Sequence, residues 1–155
     1  MGRMAGIDSR RGVLIVSSWW PGPETYPLFH LGDWARRAAE PVSDRELGQL
    51  TREALAACRV SDHVPDLRDN PEGERRVASL HKLAGVRSER GYAVGTRHVS
   101  VLWDESEQDM TITPHAGDYY GGFSGLEPDI HASADVDDAV LGTAIRQALA
   151  ACRTI

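Results

Sequence analysis

Two stretches of the chain, 94 residues apart, repeat one pattern of hydrophobic and polar positions. Residues 42–59 read VSDRELGQLTREALAACR and residues 136–153 read VDDAVLGTAIRQALAACR, with eleven of the eighteen positions identical. In each copy the apolar side recurs at i, i+3, i+4, i+7, i+8 and i+11, which is the spacing of one face of an α-helix. The two faces are Leu47, Leu50, Thr51, Ala54, Leu55 and Cys58, and Leu141, Ala144, Ile145, Ala148, Leu149 and Cys152. We therefore predict two equivalent core-facing helices.

The ends and the glycines of the two copies also correspond. Ser43 is a good N-cap and Glu46, three residues later, completes a capping box, while Asp137 occupies the N-cap position of the second copy. Gly48 and Gly142 lie inside the helices, where a glycine costs about 1 kcal/mol relative to alanine. Because the cost recurs at both equivalent positions, we predict that each helix backbone closely approaches a neighbouring element.

Three further parts of the chain have strand character. Residues 13–18 (VLIVSS) form a short, β-branched apolar run that predicts a buried strand. Residues 92–103 and 110–113 alternate on either side of an acidic turn, which predicts a β-hairpin. Residues 130–132 predict a short strand before the last helix.

The rest of the chain contains one more helix signal and several loop signals. Pro71 opens a predicted helix that Gly85 ends. Residues 19–34 and 60–73 are punctuated by prolines and predict loops, and residues 114–125 predict an irregular loop or an edge strand. The predicted order β, α, α, β, β, β, α indicates an α+β fold, with a small, mainly antiparallel sheet covered by about three helices.

Length and charge narrow the class of protein. The 155 residues predict a single domain over residues 12–155, preceded by a flexible tail over residues 1–11. The net charge of −6 argues against direct binding of nucleic acid and is compatible with a basic protein partner. There is no membrane-length apolar run and no secretory signal, and the two cysteines suit buried thiols, so we expect a cytoplasmic protein.

Aromatic residues are concentrated in two segments of the chain. Residues 19–34 hold three of the four tryptophans, and residues 119–123 hold three more rings. One interpretation is that these rings cap the core, and the other is that they form a contact surface for a partner, since Trp and Tyr are enriched at interface hot spots. Under the second interpretation the candidate partner-binding residues are Trp19, Trp20, Tyr26, Tyr119 and Tyr120.

Acidic residues recur in the predicted hairpin turn. Glu105, Glu107 and Asp109 lie at every second position. They form either an ordinary polar turn or an acidic patch on which a basic partner docks.

The motifs of common enzyme classes are missing. There is no GxGxxG after a strand, no GxxxxGK[ST], no HExxH and no GxSxG. His98, His115 and the loop from Asp118 to Gly122 leave open an alternative, a hydrolytic or small-molecule-binding enzyme. Asp62, His63, Asp66 and Asp69 would suit a metal, but a solvated acidic loop explains them better. We predict no catalytic residues, no metal and no cofactor.

Four segments together resemble one family, the contact-dependent growth inhibition (CDI) immunity proteins of the CdiI type. They are residues 42–59, 79–101, 110–123 and 129–153. In the family, two L-G-x-x-x-x-x-A-L helices bracket an L-x-K-x-x-G-V-[KR]-S segment. That segment corresponds here to Leu80, Lys82, Gly85, Val86, Arg87 and Ser88.

The resemblance implies a non-enzymatic inhibitor that stays in the cytoplasm of the producing bacterium. Such a protein binds the C-terminal toxin domain delivered by a neighbouring cell, often a basic nuclease, and brings no catalytic residues or cofactor with it. Its binding face needs about 800 Å² with aromatic anchors and a charged rim. The rings and the acidic turn described above are the candidates for that face.

Overall fold

Seven strands and four helices follow one another in a computed structural model that describes residues 2–22, 29–59, 71–118 and 122–155. They are β1 (Gly2–Arg10), β2 (Val13–Pro21), β3 (Phe29–Ala39), α1 (Asp44–Ala56), α2 (Pro71–Ala84), α3 (Glu89–Ala93), β4 (Arg97–Asp104), β5 (Asp109–Gly117), β6 (Phe123–Gly125), β7 (Ile130–Ser133) and α4 (Asp138–Ala151). All the strand pairs are antiparallel. The α+β prediction is confirmed, although the sheet is larger than predicted.

The first strand lies in the middle of the sheet. The order is β3-β2-β1-β4-β5-β6, with β7 also paired to β5. Ala5 and Ile7 are fully buried. The prediction of a flexible tail over residues 1–11 is therefore wrong for the described part. Residues 4–8 (MAGID) alternate between the two faces of the sheet. The pattern does not predict a strand because glycine and aspartate are uncommon in strands.

The main core lies between one face of the sheet and the pair of helices α1 and α4. Each helix has the predicted N-cap residue, since Glu46 N donates to Ser43 Oγ (3.1 Å) and Val140 N donates to Asp137 Oδ1 (2.9 Å). Fully buried apolar side chains fill the space between the layers, among them Ile7, Leu14, Val16, Leu47, Val99, Val101, Met110, Ile112, Leu141 and Ile145. The prediction of two core-facing helices is confirmed.

The strands repeat as well as the helices. Strand β1 corresponds to β4, β3 to β7 and α1 to α4, and equivalent residues are 94 positions apart in each pair. The offset is 96 between β2 and β5, because the second hairpin turn is two residues longer. The pair Ile7–Val16 thus corresponds to the pair Val101–Ile112. The register between β1 and β4 is symmetric about Gly6 and Ser100, so the chain holds two βββα halves with α2 and α3 inserted between them.

The opposite face of the sheet is covered by α2 and α3. Leu80 of α2 and Tyr92 of α3 pack with Ile15 and Leu31 in a second apolar cluster. The second predicted helix is confirmed, and it ends as predicted at Gly85, which has a φ of +70°.

Three segments differ from their predictions. The loop predicted over residues 19–34 is wrong in its described part, because β2 continues to Pro21 and β3 begins at Phe29. The β-hairpin is confirmed, but residues 92–96 precede it in α3 and a turn, because Ser88 Oγ caps that short helix at Gly91 N (3.0 Å). Residues 114–117 continue β5. Of the loop predicted over residues 60–73, residues 71–73 belong to α2 and residues 60–70 lie outside the described ranges.

Candidate functional site

The turn between β4 and β5 carries the predicted acidic residues at one end of the sheet. Glu107 and Asp109 are exposed, and Glu105 forms an ion pair with Arg3 of the adjacent strand β1. Asp104, at the start of the turn, accepts hydrogen bonds from the amide (2.9 Å) and the hydroxyl (2.7 Å) of Ser106. These bonds stabilise the carboxylate and lower the pKa of Asp104.

A further carboxylate joins this turn through the fold. Ala134 N donates to the carbonyl oxygen of Gln108 (2.7 Å), which brings the segment after β7 against the turn. Asp135, the next residue, is exposed and accepts a hydrogen bond from Ser133 Oγ. We call Asp104, Glu105, Glu107, Asp109 and Asp135 the acidic patch. The sequence does not predict that Asp135 lies near the turn, because the two are far apart along the chain.

The candidate aromatic residues are placed very differently from one another. Trp20 is only 7% exposed, and the guanidinium groups of Arg76 and Arg59 lie over its ring at 4.5 and 5.5 Å. Trp19, on the other face of β2, is half-buried and donates through Nε1 to Ser17 Oγ (3.1 Å). Trp20 therefore suits the core-capping interpretation.

The remaining aromatic candidates are Tyr26, Tyr119 and Tyr120. All three lie outside the described ranges.

The two candidate histidines lie together in a pocket on the face of the sheet that α2 and α3 cover. The rings of His98 and His115 are 4.7 Å apart, in an edge-to-face arrangement. The pocket encloses about 390 Å³. Its apolar walls include Met4, Trp19, Leu31, Leu80 and Phe123.

Asp8 organises the polar floor of this histidine pocket. It is 3% exposed, and its two carboxylate oxygens accept hydrogen bonds from His98 Nδ1 (2.6 Å) and from the hydroxyl of Tyr92. Burial, followed by the charge of Asp8, raises the pKa of Tyr92 far above its ordinary value, so the phenol keeps its proton.

His115 is held in its neutral form. Burial, and next the neighbouring His98, lower the pKa of His115 to about 4. Its Nε2 lies 2.9 Å from Ser100 Oγ. The pocket thus pairs each histidine with a different polar partner.

This geometry does not form a Ser–His–Asp relay. Such a relay needs one imidazole that bridges a hydroxyl and a carboxylate. Here His98 contacts Asp8 while His115 contacts Ser100. Asp118 accepts a hydrogen bond from Gly122 N (2.9 Å) within its own loop. The arrangement therefore does not favour the hydrolytic alternative.

The described residues include no group of three or more His, Cys, Asp or Glu side chains that could hold a metal ion. Residues Asp62, His63, Asp66 and Asp69 lie outside the described ranges. The two cysteines are free, and their thiols donate to the carbonyl oxygens of Met4 (3.3 Å) and His98 (3.1 Å). Burial raises the pKa of both Cys58 and Cys152, which indicates structural thiols.

The sequence places this chain in a known family. The family model described as CdiI, CDI immunity protein, matches residues 7–152. This match spans most of the chain, so the chain belongs to the CdiI family of CDI immunity proteins, as the sequence resemblance predicts. No curated protein matches the chain.

Two solved structures share its fold. A CdiA-CT/CdiI toxin and immunity complex from Yersinia pseudotuberculosis contains a chain with a TM-score of 0.76 and 18% identity, covering 99% of this chain and 98% of that one. A protein of unknown function from Neisseria meningitidis has a TM-score of 0.75 and 20% identity, covering 99% of this chain and 96% of that one. In the described ranges, no helix has the length and apolar character needed to span a bilayer.

Proposed function

We propose that this protein binds the C-terminal toxin domain of a CDI system and neutralises it by protein–protein contact, without catalysis. The observation that carries the proposal is the match of the CDI immunity family to residues 7–152. The shared fold of the Yersinia pseudotuberculosis toxin and immunity complex supports it. The inhibitor acts in the cytoplasm of the cell that produces it, where an incoming toxin would otherwise reach its target.

The acidic patch is our candidate for the rim of the toxin-binding face. Its five carboxylates are contributed by two turns at one end of the sheet, and four of them are exposed in the described structure. A toxin that acts on nucleic acid carries a basic surface. Opposite charges on the two proteins accelerate their encounter and exclude wrong partners.

An apolar group beside the acidic patch supplies the anchor that an interface needs. Leu102 of β4 is 40% exposed. A Cβ built on Gly2 would lie 3.4 Å from Phe29 Cζ and 4.0 Å from Leu102 Cδ1, so both side chains border this glycine. Apolar anchors surrounded by charge are the usual anatomy of a protein interface.

The decisive experiment uses the toxin domain encoded beside the gene of this protein. We expect the purified proteins to bind with a Kd in the nanomolar range, typical of stable complexes of this size. We also expect production of the protein to restore growth of cells that express the toxin. Absence of binding together with absence of protection would contradict the proposal.

Charge reversal tests the binding face separately. Glu107→Lys combined with Asp109→Lys should lower the association rate about tenfold or more at low salt, and less at high salt. Glu53→Lys is a control for charge reversal elsewhere, because Glu53 is an exposed carboxylate on the solvent side of α1. If the double variant associates as fast as the control, the acidic patch is not part of the interface.

A further inference from the structure

A second cavity lies at the end of the sheet opposite the acidic patch. It is a groove of about 860 Å³ between the C-terminal half of α2 and strands β2 and β3. Val13, Ala35 and Leu83 contribute apolar surface to it. We call it the basic groove, because Arg10, Arg11, Arg37 and Lys82 also line it.

The charge of the basic groove is opposite to that of the whole protein. The chain has a net charge of −6, yet four cations line the groove with a single carboxylate, Asp33. Within the described ranges, none of these four cations forms an ion pair. Asp33 therefore offsets only part of the positive charge of the groove.

Arg10 is fixed in the wall of the groove. Its residue is 8% exposed, and Nη1 donates to the backbone carbonyl oxygens of Val94 and of Tyr92 (3.5 Å). Burial and the adjacent Arg11 lower the pKa of Arg10, which is the effect expected for a cation without a neutralising anion. Arg10 therefore contributes a fixed positive charge to the wall of the groove.

Arg11 adopts a backbone conformation that arginine rarely takes. It has a φ of +47° and Gly12 has a φ of +76°, the arrangement of a two-residue hairpin turn between β1 and β2. Asn, Asp or Gly suit such a position better than a long side chain. The strained residue is a cation at the mouth of the groove, and strain of this kind concentrates at functional sites.

We propose that the basic groove binds a small organic phosphate. The apolar or aromatic body of the ligand lies on Val13, Ala35 and Leu83. Its phosphate accepts hydrogen bonds from the arginines, whose planar guanidinium groups match phosphate oxygens in pairs. The cavity lies within the size range of small-molecule sites. A long nucleic acid is disfavoured because the net negative charge of the protein would repel it.

The test is calorimetric titration of the protein with four probes: adenosine 5′-monophosphate, adenosine, inorganic phosphate and a glutamate-rich peptide. We expect the nucleotide to bind at least about tenfold more tightly than either of its two parts, because only the nucleotide fills both halves of the groove. Equal binding of the nucleotide and adenosine would overturn the proposal, as would failure of the nucleotide to bind. Tighter binding of a glutamate-rich peptide would also overturn it, in favour of a protein ligand.

Arg11→Gly separates ligand binding from folding. Glycine accepts the positive φ, so the melting temperature should be unchanged or higher, while the affinity for the nucleotide should fall about tenfold or more. Arg37→Gln should weaken binding in the same direction. Arg45→Gln on α1 removes an exposed arginine distant from the groove and serves as the control. Unchanged affinity in Arg11→Gly and Arg37→Gln would remove the phosphate site from the groove.

Discussion

Gly48 of α1 and Gly142 of α4 are the two points at which these helices touch backbone to backbone. A Cβ on Gly48 would lie 1.9 Å from the carbonyl oxygen of Asp138, and a Cβ on Gly142 would lie 1.8 Å from that of Asp44. The backbone at each glycine therefore contacts the first turn of the other helix. The contact is reciprocal because the two halves of the chain repeat with an offset of 94 residues.

Replacement of either glycine by alanine should force the two helices apart and destabilise the fold. The added methyl group meets backbone atoms, which cannot rotate away, so we expect Gly48→Ala and Gly142→Ala each to lower the free energy of unfolding by about 3 kcal/mol or more. Chemical denaturation would measure the loss. Gln49→Ala changes an exposed neighbour and should stay within about 0.5 kcal/mol. A loss that small at Gly48 would contradict the close contact.

The apolar faces of the same helices give a second prediction. Leu55 and Leu149 are 3% and 6% exposed and occupy equivalent positions in the main core. Leu55→Ala and Leu149→Ala should each cost about 2–5 kcal/mol, from lost burial and the cavity left behind. Ala56→Gly at the exposed C-terminal residue of α1 is a control for helix propensity alone, with an expected cost below about 1 kcal/mol. A cost near zero at either leucine would show that its helix is not a core element.

Two equivalent arginines form hydrogen bonds between each helix and the N-terminal residue of the other helix. Arg52 Nε donates to Asp138 Oδ1 (2.9 Å), and Arg146 Nε donates to Asp44 Oδ1 (3.2 Å). Arg146 also donates to both carboxylate oxygens of Glu40, at 2.9 and 3.2 Å. These hydrogen bonds lower the pKa of Glu40.

Removal of Arg146 should therefore cost more than removal of Arg52. We expect Arg146→Met to lower the free energy of unfolding at pH 7 by about 1–3 kcal/mol, because charge-assisted hydrogen bonds are lost. Since the pKa of Glu40 is lowered in the folded state, its contribution exists above its ordinary pKa and disappears as the pH falls. The loss measured at pH 7 should shrink in acid. A loss independent of pH would contradict the role of Glu40.

The helix repeat was predictable because the helices pack on each other. Positions 48 and 142 both require glycine, because each makes the same close contact with the other helix. The two helix sequences therefore remain visibly similar. The strands repeat without visible similarity. Many apolar residues satisfy a buried strand position, and α2 packs mainly on β2 and β3. The two halves of the sheet therefore face different neighbours.

The first strand was missed because its polar residues have distant partners. Arg3 donates to the carbonyl oxygen of Leu55 (3.2 Å), and Asp8 accepts from His98 (2.6 Å). A local pattern does not reveal contacts between residues so far apart in the chain, so this segment resembled a tail. The acidic residues of the turn are close together in the sequence, so their clustering was predictable. Asp135 is distant in the sequence and lies beside the turn only in the folded protein.

The buried neutral histidine makes stability depend on pH. The pKa of His115 is about 4 in the folded protein, against 6.5 for an exposed histidine. Above pH 6.5 the residue is neutral in both states and has no effect. As the pH falls from 6.5 to 4 the unfolded chain takes up the proton first, so the free energy of unfolding should fall by about 2–3 kcal/mol over this range.

His115→Gln should remove this part of the pH dependence. We expect the free energy of unfolding of the variant, measured by urea denaturation from pH 7 to pH 4, to fall less steeply than that of the unmodified protein. His131→Gln changes an exposed histidine on β7 and should leave the slope intact. If both variants kept the slope of the unmodified protein, His115 would not be the group responsible.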